Sequence, residues 1–369
     1  MGKVNSINNQ RLFIGGEFAI DPAWLGAPVK NTLLDRPAGP GWGSLLTRGG
    51  YHSLRFIIRY LLPPDACVML PSYLCESILV PFRKLKRPYE FYRIDKNLAV
   101  DLDDLRKLMQ KLPNSPLMVI DYFGFNHSQE FRDLLAQEKR RGRIVIQDRS
   151  QSSLSSFANY GSIVFNSFRK IGPADGSRLE YEKHLLTKVP ALPQQQLLDK
   201  SAIYKVTGQL MRHYHIKRGG FPAERFIALF AKAEHSYYCD HGGIKSMLGI
   251  HNRLFRALDP ESIKNKRREN YGILANMYAS LSLMPDKLPE DVTPLFFAIK
   301  HAGRDSIRKQ LMKCGIFTSI HWIMPKELIG GNKYRDSYEL SCAELSIPVD
   351  HRNGAEDMAV LSTKLAEYL

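Results

Sequence analysis

The chain has 369 residues, of which 44% are hydrophobic and 24% are charged, and 52 Lys and Arg against 37 Asp and Glu give a formal net charge of +15. This composition is typical of a soluble globular protein, and the length exceeds what one compact core usually holds, so we expect two lobes. The polar N-terminus and the absence of a long apolar run argue against a secretory signal and a membrane span. We therefore expect a cytoplasmic protein with no membrane insertion.

The five cysteines are scattered and include no Cys-x-x-Cys pair, so they indicate neither a zinc site nor a disulfide framework. The histidines also lack metal-ligand spacing, and we predict no bound metal. Positive charge gathers in clusters such as Lys139–Arg143 and Lys264–Arg268. Such clusters are typical of the solvated ends of amphipathic helices, although nucleic-acid binding or attraction of an anionic nucleotide diphosphate would also use them. We predict no nucleic-acid partner.

The first two thirds of the chain alternate strand-like and helical patterns. Residues 1–42 carry few periodic signals and are predicted to be an N-terminal arm. Residues 43–255 are predicted to be a large α/β domain with a mostly parallel central sheet. Its predicted elements are, in chain order, helix Leu54–Leu62, strand Cys67–Leu70, helix Leu74–Leu85, strand Tyr89–Ile94, helix Leu102–Leu112, strand Leu117–Gly124, helix Ser128–Arg141, and strands Ile144–Ile146 and Ser162–Asn166.

The pattern weakens over Glu182–Lys245, where a helix over Glu224–His235 is the main signal, and this part is interpreted as a lid or an insertion. Residues 256–369 are predicted to be a smaller C-terminal α+β domain. Its predicted elements are helix Pro260–Leu283, strand Leu295–Ile299, helix Arg304–Cys314, a Gly-Gly turn at 330–331, helix Ser337–Leu345 and helix Ala355–Tyr368. No Gly-x-Gly-x-x-Gly or Walker loop follows any predicted strand, which argues against a dinucleotide or P-loop site.

Polar side chains follow two neighbouring predicted strands. Asp148 and Gln151 follow the strand at Ile144–Ile146, and Ser167 and Lys170 follow the next one. Ligands of open α/β sheets bind outside the carboxyl ends of the strands. A carboxylate can hold a protonated pyridine nitrogen, a lysine can form a Schiff base with an aldehyde, and the helix start near Gly50 can bind a phosphate. Pyridine, aldehyde and phosphate together indicate pyridoxal 5′-phosphate as the cofactor.

These and further motifs resemble, in order, those of the fold-type-I, aspartate-aminotransferase-like transferases, and within them the DegT/DnrJ/EryC1/StrS sugar aminotransferase family. The segments that carry the resemblance are Leu70-Pro71-Ser72-Tyr73, Asp121-Tyr122-Phe123-Gly124, Asp148-Arg149-Ser150-Gln151, Ser167-Phe168 with Lys170 and Asp175-Gly176, Gly249-Ile250-His251-Asn252-Arg253, Gly303-Arg304-Asp305, Cys314-Gly315-Ile316, His321-Trp322 and Leu345-Ser346-Ile347-Pro348-Val349-Asp350.

The resemblance implies an enzyme that transfers an amino group, with glutamate as the donor, to a keto sugar linked to a nucleotide. Lys170 and Asp148 would be catalytic, with Lys170 as the Schiff-base lysine. The other implied cofactor-binding residues are Gly50, Tyr51, His52, Tyr73, Tyr122, Gln151, Ser167 and Asn252, and the implied substrate-binding residues are His321 and Trp322. A homodimer is also implied, with the segment around Asn252 contributed by the partner subunit.

The chain departs from the family pattern at several positions. Lys170 follows Ser167 by three residues, whereas the family's lysine follows by five, and Ser177 replaces a glycine. Cys75 lies where an aromatic residue usually stacks on the cofactor ring, so Tyr73 or Tyr122 could substitute, and either His251 or Asn252 could match the family's asparagine. These departures leave two alternatives: another pyridoxal-phosphate reaction, such as dehydration or an amino-acid transformation, or a non-catalytic protein of the same fold.

Overall fold

The computed structural model describes residues 13–186, 190, 192, 199–239, 243–329 and 332–369. Residues 1–12 of the predicted N-terminal arm and the predicted turn at 330–331 lie outside the described residues. Within these ranges, none of the helices combines the length and the apolar content that crossing a membrane requires.

The first two thirds of the chain contain the strands of the central sheet and the helices that cover it. In chain order the elements are β1 (Ile14–Gly15), β2 (Trp42–Thr47), α1 (Gly50–Phe56), β3 (Val68–Pro71), α2 (Glu76–Lys84), β4 (Tyr89–Tyr92), α3 (Leu102–Lys111), β5 (Leu117–Ile120), α4 (Gln129–Arg140), β6 (Val145–Asp148), β7 (Ile163–Phe165), β8 (Ser177–Glu182), α5 (Lys200–Arg218), α6 (Ala223–Cys239) and α7 (Gly249–Arg256). Helix α1 continues directly into a π-helical turn, Ile57–Leu61.

The central sheet has seven strands in the order β2-β8-β7-β6-β5-β3-β4. Strands β3 to β7 pair in parallel, and β8 runs antiparallel to both of its neighbours, β7 and β2. The inner strands are continuously buried, as in β3 and β5, which is the pattern of a parallel sheet covered on both faces. The predicted mostly parallel α/β sheet is therefore present.

The last third of the chain forms an α+β unit around a short antiparallel sheet. Its elements are α8 (Pro260–Tyr278), β9 (Phe296–Lys300), α9 (Arg304–Lys313), β10 (Ile316–Phe317), α10 (Arg335–Ala343), β11 (Glu344–Pro348) and α11 (Ala355–Ala366). Strand β9 pairs antiparallel with β11, and β1 of the N-terminal segment pairs in parallel with β10. The N-terminal segment thus lies against this unit. The division of the chain at residues 42 and 255 stays a prediction.

Several predicted boundaries are wrong, and some elements were not predicted, among them β1 and α7. Strand β5 ends at Ile120, and a 3₁₀ turn over Tyr122–Gly124 follows it. The helix predicted to reach Leu345 ends at Ala343, because the next five residues form β11. Strands β2 and β8 and helix α5 were not predicted. Strand β8 does alternate buried and half-buried side chains, which is the pattern of a strand with one covered face.

Candidate active site

A cavity of about 290 Å³ lies where the carboxyl ends of β6 and β7 meet the first turn of α1. Open α/β sheets bind ligands at this edge. The residues that line it are Glu17, Gly50, Tyr51, Leu54, Cys75, Ser77, Ile78, Ile120, Asp148, Ser150, Gln151, Phe165, Ser167, Arg169, Lys170, Glu234, Tyr237, Tyr238 and Trp322. The structure therefore brings together seven of the predicted site residues: Gly50, Tyr51, Asp148, Gln151, Ser167, Lys170 and Trp322.

Asp148 is the last residue of β6 and is buried. Its Oδ1 accepts a hydrogen bond of 2.8 Å from the backbone N–H of Ser150. Burial raises the pKa of Asp148 to about 6, although the hydrogen bonds from Ser150 oppose the shift. A cationic N–H in the cavity would stabilise the ionised carboxylate, because an opposite charge offsets the cost of burial. The site suits a protonated pyridine nitrogen.

Lys170 ends a short 3₁₀ turn, Phe168–Lys170, directly after β7. The turn is anchored on both sides, because the ring of Phe168 stacks on Phe255 at 4.0 Å and the carbonyl of Lys170 accepts a 2.6 Å hydrogen bond from Arg267. Burial lowers the pKa of the Lys170 amine below its ordinary value, and the adjacent Arg169 guanidinium lowers it further. A lowered pKa increases the share of neutral amine, which is the nucleophilic form.

The start of α1 and two serines form the end of the cavity suited to an anion. A Cβ on Gly50 would lie 3.5 Å from the carbonyl oxygen of Asn166 and 3.8 Å from Oγ of Ser150, so the helix start is close to the loops after β6 and β7. The first N–H groups of a helix have no partner within the helix and favour negative charge. With the Ser167 hydroxyl in the same wall, this end fits a phosphate group.

Gln151 presents a hydrogen-bond donor that the protein leaves unpaired. Its Oε1 accepts a 2.8 Å hydrogen bond from the N–H of Phe123, which fixes the orientation of the amide. Its Nε2 is buried and has no partner among the described residues. A buried donor without a partner is costly, so an acceptor on a ligand would satisfy it. The phenolic oxygen of pyridoxal phosphate is such an acceptor.

Trp322, from the C-terminal α+β unit, reaches the cavity. Tyr73 and Tyr122, the two residues predicted to stack on the cofactor ring, lie behind it. The Trp322 indole is 5.6 Å from the ring of Tyr73 and 6.2 Å from the ring of Tyr122. Tyr122 donates a 2.6 Å hydrogen bond to the carbonyl of Tyr73, and Tyr73 donates to the carbonyl of His321. Neither tyrosine lines the cavity, and a contact of either one with the cofactor in place of Cys75 stays a prediction.

Three other predicted residues also lie outside the cavity wall. His52 is buried in the aromatic cluster between α1 and α6, 5.5 Å from the ring of Tyr237, and its Nδ1 accepts a hydrogen bond from the N–H of Lys245. His321 is buried beneath Trp322 with Nδ1 2.8 Å from Oγ of Ser346. Asn252 accepts a 2.8 Å hydrogen bond from Arg256 and lines a separate depression. A contact of Asn252 with the cofactor of a partner subunit stays a prediction.

Several residues of the cavity wall were not predicted. Ser150 and Arg169 lie inside the predicted motifs, each next to a predicted residue, so the sequence held a signal for them. Glu234, Tyr237 and Tyr238 come from α6, in the part of the chain where the pattern was weak. Tyr237 is buried against Tyr51, with ring centroids 5.7 Å apart, so α6 closes the cavity beside the start of α1.

A second cavity, of about 610 Å³, is larger but contains no comparable arrangement of reactive groups. Its two central arginines are bound to the protein: Arg149 donates 2.7 Å to the carbonyl of Ser155, and Arg178 donates 2.7 Å to the carbonyl of Arg36. They hold the N-terminal segment and the loop after β6 in place. In the ranges that the structure describes, no group of His, Cys, Asp and Glu could hold a metal ion, and all five cysteines are free thiols.

No family model and no curated protein matches the amino-acid sequence. Solved structures match the fold over almost the whole chain. Helicobacter pylori PseC, an aminotransferase involved in the biosynthesis of pseudoaminic acid, matches with a TM-score of 0.62 at 14% identity, over 96% of this chain and 98% of its own. The sugar aminotransferase CalS13 from Micromonospora echinospora matches with a TM-score of 0.61 at 14% identity, over 96% of this chain and 94% of its own.

A DegT DnrJ EryC1 StrS aminotransferase from Brucella abortus matches with a TM-score of 0.60 at 14% identity, over 95% of this chain and 91% of its own. The chain has the aspartate-aminotransferase-like fold. The predicted fold class is thereby confirmed, with the large mixed sheet and the smaller α+β unit in their expected order. In this fold, the cavity at the ends of β6 and β7 is formed by residues of the central sheet, of α1 and α6, and of the segment around Trp322.

Proposed function

We propose that this chain is a pyridoxal-phosphate-dependent aminotransferase of the DegT/DnrJ/EryC1/StrS family, which moves an amino group from an amino acid to a keto sugar linked to a nucleotide. The observation that carries the proposal is that Asp148, Gln151, Ser167 and Lys170 line one cavity beside the start of α1. A carboxylate, an unpaired amide donor, a hydroxyl and an amine of lowered pKa match the four polar features of this cofactor one by one.

In this proposal each group of the chain holds one part of the cofactor. The Asp148 carboxylate would accept the hydrogen bond of the protonated ring nitrogen, and Gln151 Nε2 would donate to the phenolic oxygen. The first N–H groups of α1 and the Ser167 hydroxyl bind the phosphate. Lys170 Nζ would hold the aldehyde end of the cofactor. Trp322 lies on the same cavity wall as these groups.

When bound, pyridoxal phosphate supplies a cationic ring that accepts the electron pair left when the α-carbon of the amino donor loses its proton. The chain supplies the base. Lys170 Nζ takes that proton, and the lowered pKa of its amine increases the share of the neutral, proton-accepting form. The Asp148 carboxylate would keep the ring nitrogen protonated. Because Asp148 is buried, its negative charge is stabilised by a positive charge directly beside it.

The acceptor is inferred from the structural relatives and from charge. Proteins that share the fold over most of both chains include the sugar aminotransferase CalS13 and PseC, an aminotransferase involved in the biosynthesis of pseudoaminic acid. The formal net charge of +15 also favours approach of an anionic nucleotide diphosphate group. We propose glutamate as the donor and a nucleotide-linked keto sugar as the acceptor.

We further propose a homodimer in which the segment around Asn252 reaches the cavity of the partner subunit. Asn252 lies on α7, outside the cavity of its own chain, in a depression it shares with Leu34, Ser44 and Met247. A side chain that faces such a depression is available to a second copy. Sedimentation velocity of the purified protein tests the dimer, and Asn252→Ala should weaken cofactor binding if the partner's cavity uses it.

Absorbance of the purified protein with pyridoxal phosphate tests the cofactor. We expect a visible absorbance band of the kind that protein-bound pyridoxal phosphate gives. After borohydride reduction, peptide mass spectrometry should find a covalent pyridoxyl group on Lys170. Lys170→Ala should lose the adduct, and the exposed Lys313→Ala should keep it. A wild-type protein that neither colours nor forms the adduct would contradict the proposal.

The reaction class needs a separate experiment. Glutamate added to the protein loaded with pyridoxal phosphate should release one 2-oxoglutarate per site. The protein that has taken up the amino group should then aminate a nucleotide-linked keto sugar. Release of ammonia without 2-oxoglutarate would indicate dehydration or another reaction of the same cofactor. A protein that binds the cofactor and does not react with any amino acid would be a non-catalytic member of the fold.

A further inference from the structure

Two cationic side chains, Arg169 and Lys170, line the cavity among the residues that the structure describes. Lys170 has its role in the proposed reaction, and Arg169 has none. We propose that Arg169 binds the carboxylate of the amino donor, which replaces Glu234 as the partner of the guanidinium. This inference rests on the proposed aminotransferase function.

The first step is the position of the Arg169 side chain. It is 26% exposed and lies in the cavity wall beside Lys170. Its Nη2 donates a 2.8 Å hydrogen bond to Oε2 of Glu234, and its Nε lies 3.6 Å from Oδ1 of Asp175. Within the part of the chain that the structure describes, Nη1 makes no hydrogen bond. The guanidinium therefore keeps donors for a further anion.

The second step is that Asp175 holds the Arg169 guanidinium in place but has other cationic partners that keep it ionised. Asp175 is buried and forms a 3.0 Å ion pair with Arg48, and Lys205 donates a hydrogen bond to its other oxygen. Burial opposes ionisation of Asp175, and the surrounding cations, Lys205 first, outweigh it and keep its pKa well below the ordinary value. Asp175 is a permanent anion with two other partners, and Arg169 borders this buried cluster on the cavity side.

The third step is that Glu234 is a replaceable partner. Its side chain is 50% exposed, it lies on α6 at the edge of the cavity, and its ion pair with Arg169 is not reinforced by a second arginine. Ion pairs with solvent-exposed carboxylates are weak, because water and salt compete for both charges. A ligand carboxylate that can approach Nη1 and Nη2 together would form the bidentate pair that guanidinium groups favour.

The fourth step is the choice of ligand. The donor carbon that Lys170 deprotonates carries a carboxylate on the same atom, so this group must lie near the Lys170 amine when the two react. The side chain next to Lys170 in the sequence and in the cavity is Arg169. The other anions of the wall, Glu17, Asp148 and Glu234, would repel a donor carboxylate that no cation held. Arg169 is thus a specificity-determining residue for amino donors that carry an α-carboxylate.

Equilibrium binding of glutarate, a dicarboxylate without an amine, tests the inference on the protein loaded with pyridoxal phosphate. Titration calorimetry would compare wild type with Arg169→Gln, Glu234→Gln and Arg55→Gln. Arg55 is a matched control because its guanidinium lies near the rim, 5.7 Å from the Tyr51 ring centroid, and outside the cavity wall. We expect Arg169→Gln to weaken glutarate binding by about 10- to 100-fold, Glu234→Gln to tighten it severalfold, and Arg55→Gln to change it by less than about 3-fold.

The outcomes separate this inference from the proposed function. A wild-type protein that takes up no pyridoxal phosphate contradicts the proposed function before glutarate is tested. A loaded Arg169→Gln protein that binds glutarate as wild type does contradicts the inference alone. If Arg169→Gln lowers cofactor affinity but, once loaded, binds glutarate normally, Arg169 serves the phosphate, and the inference is again wrong. If Arg55→Gln weakened glutarate binding as much as Arg169→Gln, the effect would be one of overall charge, and the inference about Arg169 would also be wrong.

Discussion

Nη2 of Arg267 donates a 2.6 Å hydrogen bond to the backbone carbonyl of Lys170. Arg267 lies on α8, at the beginning of the C-terminal unit, whereas Lys170 lies in the turn after β7. The guanidinium is buried, and burial lowers the pKa of Arg267 to about 10. A buried cation is costly, so its presence against this carbonyl indicates that the lysine turn is held from the C-terminal unit.

We therefore expect Arg267→Met to remove the support of the lysine turn. The carbonyl of Lys170 would lose its partner, which costs roughly 1–3 kcal/mol of unfolding free energy, partly offset by removal of the buried charge. The more specific result is slower formation of the borohydride-trapped adduct at Lys170. Arg268→Met, the neighbouring residue that binds the carbonyl of Pro289, is the matched control and should leave adduct formation unchanged. Equal effects of both variants would contradict a specific role of Arg267.

Asp148→Asn should stabilise the cofactor-free protein and weaken its affinity for pyridoxal phosphate. The pKa of Asp148 is raised from 3.8 to about 6 by burial. Because the folded state binds the proton more tightly than the unfolded state, stability falls as pH rises from about 4 to 6, by roughly 2–3 kcal/mol from this group. Asparagine would remove that loss above pH 6.

Urea unfolding of the cofactor-free proteins between pH 4 and 7 would measure this difference, with the exposed Asp133→Asn as the control. The same variant should bind pyridoxal phosphate more weakly, because the amide cannot pair with a protonated ring nitrogen. A variant that binds the cofactor as wild type does would show that Asp148 is not its partner. An unchanged pH dependence would show that the carboxyl is not the titrating group.

The residues that sequence reasoning located are those whose position follows from strand direction. Asp148 ends β6, and Ser167 follows β7, and the two strands pair in parallel, so their ends meet at one edge of the sheet. That relationship holds whatever the exact length of the loop, which is why the short spacing between Ser167 and Lys170 did not displace Lys170 from the cavity. Local pattern was sufficient for this part of the site.

The residues that the sequence analysis misplaced or did not name depend on a turn and on non-local packing. Tyr122 was expected to continue a strand, but the chain leaves β5 at Ile120, and Phe123 adopts a positive φ of 54°. The period-2 rule then no longer predicts where the Tyr122 side chain points. Tyr237 reaches the cavity because α6 packs on α1, and no local pattern in Glu182–Lys245 predicts that contact. Such contacts are determined by tertiary packing.

Glu344 should make the protein less stable as pH rises towards neutrality. This glutamate is fully buried, its Oε2 accepts a 2.6 Å hydrogen bond from the N–H of His321, and Ser346 donates to its other oxygen. Burial raises its pKa from 4.5 to about 8, although these hydrogen bonds oppose the shift. The folded state retains the proton that the unfolded state releases, so stability falls between about pH 4.5 and 8, by on the order of 4 kcal/mol.

The Glu344→Gln variant should be as stable at pH 8 as it is at pH 5, because glutamine mimics the protonated acid. Chemical unfolding at pH 5 and pH 8 would measure the difference, and the exposed Glu356→Gln serves as control. Because Glu344 supports the backbone of His321 next to Trp322, the fluorescence of Trp322 should shift with the same midpoint in a Trp24→Phe, Trp42→Phe background, which keeps Trp322 as the one tryptophan. A wild type equally stable at both pH values would show that Glu344 is ionised in the fold.

Gly124 is the position where the turn after β5 contacts the C-terminal unit. Its φ is +99°, and a Cβ there would overlap the backbone carbonyl of Thr293. Both the backbone conformation and the contact exclude a larger residue, so Gly124→Ala should lower the free energy of unfolding by roughly 2–4 kcal/mol. The same shift would disturb the adjacent Phe123, whose N–H holds Gln151, and cofactor affinity should fall as well.

Gly272→Ala is the matched control, and we expect it to change the free energy of unfolding in the opposite direction. Gly272 lies inside α8, and a Cβ there would meet nothing within 4 Å, so alanine should raise the free energy of unfolding by about 0.5–1 kcal/mol through its higher helix propensity. Urea unfolding of the two variants beside wild type would measure shifts of opposite sign. If both glycines tolerate alanine equally, the close contact between the β5 turn and Thr293 is not present in solution, and the position of the C-terminal unit against the cavity must differ from this structure.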